Sequence, residues 1–246
     1  MSRSHRQSIT TVRASLSKAN TVGSWGAFWR TLAVATTSLC LTLANLAGDK
    51  PTTLPSTSIF NGHDLGHWKA SDFAGGGEPH VENGSLILPM GERLTGVTWT
   101  EPTMILKTDY EITLEARRVD GSDFFCGLTF PVGDSSASLI LGGWGGSLCG
   151  ISSLDGEDAS HNDTRTFQRF ENGVWYKVRM RVTSDRLQAW VDKKQIVDVK
   201  ITGKKIDVRE EIAASKPLGI ASFQTTAEIR DIHLTPISGS TTAPKR

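Results

Sequence analysis

The sequence predicts an all-β chain folded as a two-sheet antiparallel jelly-roll sandwich. Three observations carry that prediction. Between residues 173 and 201, Val178, Met180 and Val182 alternate with Lys177, Arg179 and Arg181; Leu187, Ala189 and Val191 then alternate with Gln188, Trp190 and Asp192. A period of two packs one set of side chains on a core and leaves the other in solvent. The polar breaks Ser184-Asp185 and Lys193-Lys194 are short enough to join antiparallel neighbours, which makes this stretch a meander with one wet face. Short apolar runs recur at close spacing along the rest of the chain, and the single helical candidate is residues 208–216.

The elements follow in order. Residues 1–47 hold Arg3, Arg6, Arg13, Lys18 and Arg30 but no Asp or Glu, and residues 31–47 are uncharged, mostly apolar and end in small side chains. A basic region, an apolar segment and a small-residue end are the parts of an export signal. The apolar stretch falls slightly short of the roughly 20 residues of a spanning helix. The expectation is therefore a cleaved signal peptide, with an uncleaved N-terminal anchor as the alternative, and an extracytoplasmic location (periplasmic, secreted or cell-surface).

Residues 48–57 read as a Pro/Thr/Ser linker, 58–237 as the folded domain and 238–246 as a disordered tail. Within the domain, residues 59–68 read as a strand and a turn, and 71–79 as a glycine-bearing loop. Residues 80–88 form a hairpin about Asn83-Gly84, a favoured pair for a type I′ turn. A strand at 95–100 precedes residues 108–119, where Tyr110, Ile112, Leu114 and Ala116 alternate with Glu111, Thr113, Glu115 and Arg117. Strands at 124–131, 137–142 and 148–153 lead to a polar surface loop, 152–166. Further strands are expected at 166–170, 175–183, 186–192 and 196–201, and the runs 217–224 and 228–235 close the sheet.

Beyond residue 47 the chain carries 22 basic and 26 acidic side chains, a net charge of −4. With no basic tract, nucleic acid is excluded as an expected partner. Cys126 and Cys149 lie in apolar runs with a strand expected between them. Neighbouring strands are about 4.8 Å apart, so second neighbours stand too far apart for a disulfide. Two buried thiols are the preferred reading, although an oxidising compartment permits one bond.

Five segments, in this order and spacing, carry a resemblance: IFNGHDLGHWK, the VENG-x-L hairpin with YEITLEAR, NG-x-WY, AWVD-x-K, and PLGI-x-x-x-Q with IRDIHL. Together they resemble the 3-keto-disaccharide hydrolase domain family over about residues 57–237. The resemblance implies a concanavalin A-like lectin/glucanase jelly roll, exported by bacteria that digest glycans. It also implies hydrolysis of glycosides already oxidised to a ketone at C3, with an oligosaccharide or glycoside as partner. Two departures stand out. Where the family carries an Asn-Ser-Gly-aromatic motif ending in Arg, this chain has SDFFCGLTF; where it presents a Glu and an Asp around Gln, this chain has SASLILGGWGG without a carboxylate. The family's usual acid/base positions therefore do not transfer.

A C3 ketone acidifies the C2 hydrogen, so the reaction needs a carboxylate or His base and a donor or metal at the enolate oxygen. Glu115 is a candidate base with Arg117 as oxyanion partner, or the two are a solvent-facing strand pair. Asp123 occupies the family's motif position, or is a turn residue. His161 is a candidate proton carrier. Trp144, within Gly142-Gly143-Trp144-Gly145-Gly146, has an indole left open for a sugar ring, or it plugs the sandwich edge. Trp190 is a second candidate platform or a covering residue. Gln224, the glutamine of the closing segment, completes the expected substrate-binding set. Asp155, Glu157 and Asp158 crowd one loop, where oxygen ligands would suit a divalent cation such as Ca²⁺; the chemistry itself requires no cofactor. A non-catalytic carbohydrate-binding module of the same fold is the alternative function.

Overall fold

Fifteen strands build the described part of the chain. The computed structural model describes residues 54–237; the expected signal or anchor at 1–47, most of the linker and the tail from 238 lie outside the described residues. In chain order the strands are β1 (Thr57–Ser58), β2 (Trp68–Ala70), β3 (His80–Glu82), β4 (Ser85–Leu88) and β5 (Leu94–Trp99). After a 3-10 turn at Pro102–Met104 come β6 (Tyr110–Gly121), β7 (Cys126–Val132), β8 (Ser135–Gly142), β9 (Leu148–Ser152) and β10 (Thr166–Phe167). The series ends with β11 (Tyr176–Val182), β12 (Arg186–Val191), β13 (Lys194–Lys200), β14 (Gly219–Phe223) and β15 (Thr225–Pro236).

They form two antiparallel sheets. The eight-stranded sheet runs β13-β12-β11-β6-β15-β4-β3 with β1 added to β15, and the seven-stranded sheet runs β10-β9-β8-β7-β14-β5-β2. Alternation decides what each strand buries. Ile112, Leu114, Val178, Met180 and Leu187 point inward from one sheet to meet Val97, Leu128, Phe130, Leu139 and Ile151 from the other. Each such side chain contributes about 1.5–3 kcal/mol on leaving water.

The expected meander β11-β12-β13 is present, and β6 buries Tyr110, Ile112, Leu114 and Ala116 as its pattern requires. Asn83 (φ 49°) and Gly84 (φ 78°) form the hairpin turn in the left-handed region, as a type I′ turn needs. Cys126 and Cys149 are free and buried, separated by β8, where Leu141 is the register partner of both. Burial pushes the Cys126 thiol up to about 12 and the Cys149 thiol up to about 11.

Four expectations change. Residues 59–68 are not a strand before the turn: Ile59 and Phe60 enter the core, and the Asn61 side chain accepts from the amides of His63 (2.8 Å) and Asp64 (3.1 Å), folding the chain back at once. The linker already pairs at its end, Thr57 with Leu234 and Ser58 with His233. The helical candidate is a 3-10 helix, Glu210–Ser215. The two closing runs do not share a sheet. β14 and β15 belong to different sheets, and the chain passes between them at Gln224, whose φ is 44°.

Candidate functional site

A cavity of about 250 Å³ opens on the outer face of the seven-stranded sheet. Residues not used by the core supply its floor: Ser138 and Ile140 of β8 and Ser152 of β9. Phe124, Phe223, Leu94 and Ile212 form an apolar wall, while Asp123, Trp144, Arg93, Arg209 and Glu211 form the polar one. Ser138 shares a hydrogen bond with Thr129 (2.8 Å), but the buried Ser152 hydroxyl has no partner among the described residues.

The Trp144 turn is built for exposure. Gly143–Gly146 make one turn whose middle is left-handed (Trp144 φ 49°, Gly145 φ 86°), and the indole remains 45% exposed. This leaves Trp144 at the cavity mouth rather than plugging the sandwich edge. Gly142 leads into the turn at φ 76°, and a Cβ there would meet Arg118 Nη2 at 2.7 Å. Arg118 is buried beneath the turn, donating from Nη2 to the Gly146 carbonyl at 3.1 Å and lying over the Phe125 ring at 5.4 Å. Burial lowers the pKa of its guanidinium, against the opposing pull of Asp123 and Tyr176.

Asp123 closes the arrangement. Its Oδ1 accepts from the Phe124 amide (2.7 Å), its Oδ2 from the Gly145 amide (3.1 Å), and its own amide donates to Thr225 Oγ1 (3.2 Å). It is the one carboxylate of the cavity wall with no salt bridge among the described residues, because Glu211 is paired with Arg209 at 2.7 Å and Asp123 meets the buried Arg118 only through its longer-range charge. Arg209 also donates to Asp158 at 3.0 Å. Burial works against the Asp158 carboxylate, yet bonds from Ser160 and His161 and the charge of Arg209 hold it below the ordinary carboxylate range.

The structure thus brings Asp123 and Trp144 together at the cavity. Asp158 reaches the cavity wall through Arg209, and His161 stands one step further out, 3.1 Å from Asp158. Gln224 is a support: its amide donates to the Arg93 carbonyl (2.8 Å) and its side chain to the Glu92 carbonyl (3.2 Å).

Glu115, Arg117 and Trp190 are not brought to this cavity; they project from the outer face of the eight-stranded sheet. Glu115 pairs with Arg230 (2.6 Å) and Lys177 (3.8 Å), Arg117 with Glu228 (2.6 Å), and Trp190 lies under Arg179 at 3.7 Å. Glu115 and Arg117, read together as base and oxyanion partner, are each committed to another residue. Asp155, Glu157 and Asp158 do not converge either. Asp155 accepts from Lys204 Nζ and the Lys205 amide, both at 2.9 Å, whereas Asp158 faces Ser160, His161 and Arg209. Among the described residues no group of three His, Cys, Asp or Glu side chains is placed to hold a metal ion. No helix among the described residues is long and apolar enough to cross a membrane.

Sequence reasoning did not single out Phe124, Phe223, Ser152, Arg93, Arg209 or Glu211. Arg209 and Glu211 belong to the segment 208–216, whose pattern points only to a helix; its charged first turn is the available signal.

The fold defines a jelly roll of the glucanase type. A non-specific endo-β-1,3(4)-glucanase of family GH16 superposes with a TM-score of 0.51 at 10% identity, covering 76% of this chain and 95% of that one. The carbohydrate-binding module CBM66 from Bacillus subtilis (TM-score 0.42, 11% identity, 72% and 98% covered) is similar at lower scores. So is domain 4 of the arabinanase AbnA from Geobacillus stearothermophilus (TM-score 0.46, 13% identity, 69% and 82% covered). No curated protein matches the chain significantly in sequence. The family profile described as a 3-keto-alpha-glucoside-1,2-lyase-like domain matches residues 55–235, and the chain belongs to that family.

Proposed function

We propose that the protein cleaves a 3-keto-glycoside in the Asp123–Trp144 cavity. One observation carries the reading: the cavity wall holds a carboxylate with no salt bridge among the described residues beside an exposed indole. In this scheme the sugar ring stacks on Trp144, where an aromatic face meets the axial C–H side of a pyranose. Asp123 removes the C2 proton, and the electron pair left behind forms the C1–C2 double bond. The C1–O bond breaks, and the leaving oxygen recovers a proton from the Asp123 carboxyl or from water. Charge develops on the C3 oxygen during this step. Arg93 faces the cavity, its guanidinium bonded to none of the described residues, and supplies the donor. Water then adds across the double bond to complete hydrolysis. No cofactor enters the scheme.

A second reading rests on a separate observation. Both Asp123 oxygens already accept backbone amides, so the residue can serve to hold the Trp144 turn, and the cavity would then bind carbohydrate without chemistry. Incubation with 3-keto-glucosides separates the two. Release of the aglycone, reduced at least about 100-fold in kcat by Asp123→Asn, is the outcome expected of a general base. Saturable binding of unoxidised glycosides with no turnover of any 3-keto-glycoside would establish the binding module instead. An extracytoplasmic site of action belongs to the same proposal, supported by the basic-then-apolar pattern of residues 1–47; cell fractionation tests it.

A further inference from the structure

Resting on the lyase reading above, we infer that the leaving group is an aromatic aglycone carrying a polar substituent rather than a second sugar. The cavity has two unlike sides. Trp144, exposed at its mouth, offers the sugar platform. The cavity's apolar side is Leu94, Phe124, Ile212 and Phe223 above the Ile140 floor, five side chains that offer no hydrogen bond. A second sugar placed there would lose water from several hydroxyls without replacement, and an unpaired buried hydroxyl costs free energy each time. An aromatic ring loses nothing of the kind.

The wall is also shaped for a ring. Phe124 and Phe223 lie nearly parallel, with centroids 5.9 Å apart and 28° between planes. The Phe223 amide donates to the Phe124 carbonyl at 3.0 Å, which ties the two backbones together and holds the rings in place. Ile212 is carried over them by the helix Glu210–Ser215. A cavity of about 150 Å³ accepts benzene, so the 250 Å³ here has room for one substituted ring. Of the two hydroxyls on this floor, Ser138 is paired with Thr129, whereas Ser152, 2% exposed, has no partner among the described residues. It would meet a hydroxyl or ether oxygen on the ring.

The test compares 4-nitrophenyl, methyl and glucosyl 3-keto-glucosides as substrates of the full chain, with KM read for each. The aryl substrate should show a KM at least about 10-fold below both others, the gain expected from burying one ring. In Phe223→Ser that ratio should fall to within about twofold of one. Equal or tighter use of the glucosyl substrate overturns the inference and leaves the lyase reading intact. Should none of the three turn over, the lyase reading fails, and calorimetry with 4-nitrophenyl and methyl glucosides still decides the aglycone question. Tighter binding of the aryl compound by about 10-fold supports an aromatic occupant, and equal binding overturns it.

Discussion

The two outer faces of this sandwich start from the same strand alternation and end as opposite surfaces. On the eight-stranded sheet the outward positions are long and charged. Glu111, Glu115 and Glu228 are interleaved with Arg117, Arg181 and Arg230, while Arg179 covers Trp190 and Arg117 and Arg230 cover Trp175. Every carboxylate in that row has a guanidinium partner, so the face is electrically settled and leaves no group with a spare proton-accepting role. On the seven-stranded sheet many outward positions are short, Gly127, Thr129, Ser138, Gly150 and Ser152 among them, with Ile140 and Leu148 the larger exceptions. Phe124 lies over Gly127, and Thr164 and Ala159 lie over Gly150. Short side chains let loops descend onto the sheet, and descending loops make a cavity. A charged pair in a strand is therefore weaker evidence for chemistry than a run of small residues with a conspicuous loop beside it.

This contrast can be broken in several ways. The largest effect should come from Asp123→Asn, lowering kcat on a 3-keto-glycoside at least about 100-fold, while Glu115→Gln on the opposite face leaves it within about twofold. The reverse ranking would move the active face to the other sheet. Gly142→Ala should rank next. It forces a Cβ against Arg118 at a backbone angle that L residues rarely adopt, and urea unfolding should record a loss of about 1–3 kcal/mol. Gln188→Ala, at an outward position of β12, should stay within about 0.5 kcal/mol.

Trp144→Ala should raise KM about 10-fold through loss of the stacking platform and leave the melting temperature nearly unchanged, since the indole is half exposed. A smaller effect is expected with pH. The Asp158 pKa is lower in the folded chain, so its contribution is fully present above the unfolded value of about 3.9 and is lost as pH falls through the folded one. Thermal melts should accordingly show a steeper loss of stability on acidification below about pH 4 in the parent than in Asp158→Asn. The smallest effect is none at all. With both thiols raised by burial, Cys126 and Cys149 should resist maleimide at neutral pH in the folded Cys40→Ser protein and react only after denaturation.

Strand patterning made the fold legible because burial on one face writes itself into every second residue. The meander and β6 follow from that rule, the Asn83-Gly84 hairpin follows from turn chemistry, and the reading of Cys126 and Cys149 as unbonded thiols follows from the strand expected between them and the spacing of strands. Partition between the sheets was not legible at β14 and β15. They are separated by the single residue Gln224, and nothing in a period of two records a change of sheet. The site was legible only where local sequence is odd, as at Trp144 among its glycines and at Asp123 heading an aromatic strand. Phe223 and Arg209 come from distant segments whose own patterns announce nothing but a strand and a short helix. Their meeting is a property of topology.

The crossover at Gln224 also ties the mechanics of the molecule to its chemistry. Phe223, immediately before it, walls the cavity; Thr225, immediately after it, receives the Asp123 amide; Gln224 itself grips the backbone at Glu92 and Arg93. Three successive residues thus clamp apolar wall, carboxylate and cation to one joint between the layers. Any sliding of one layer over the other would be felt at all three together, so the geometry of the cavity and the integrity of the sandwich rise and fall as a unit.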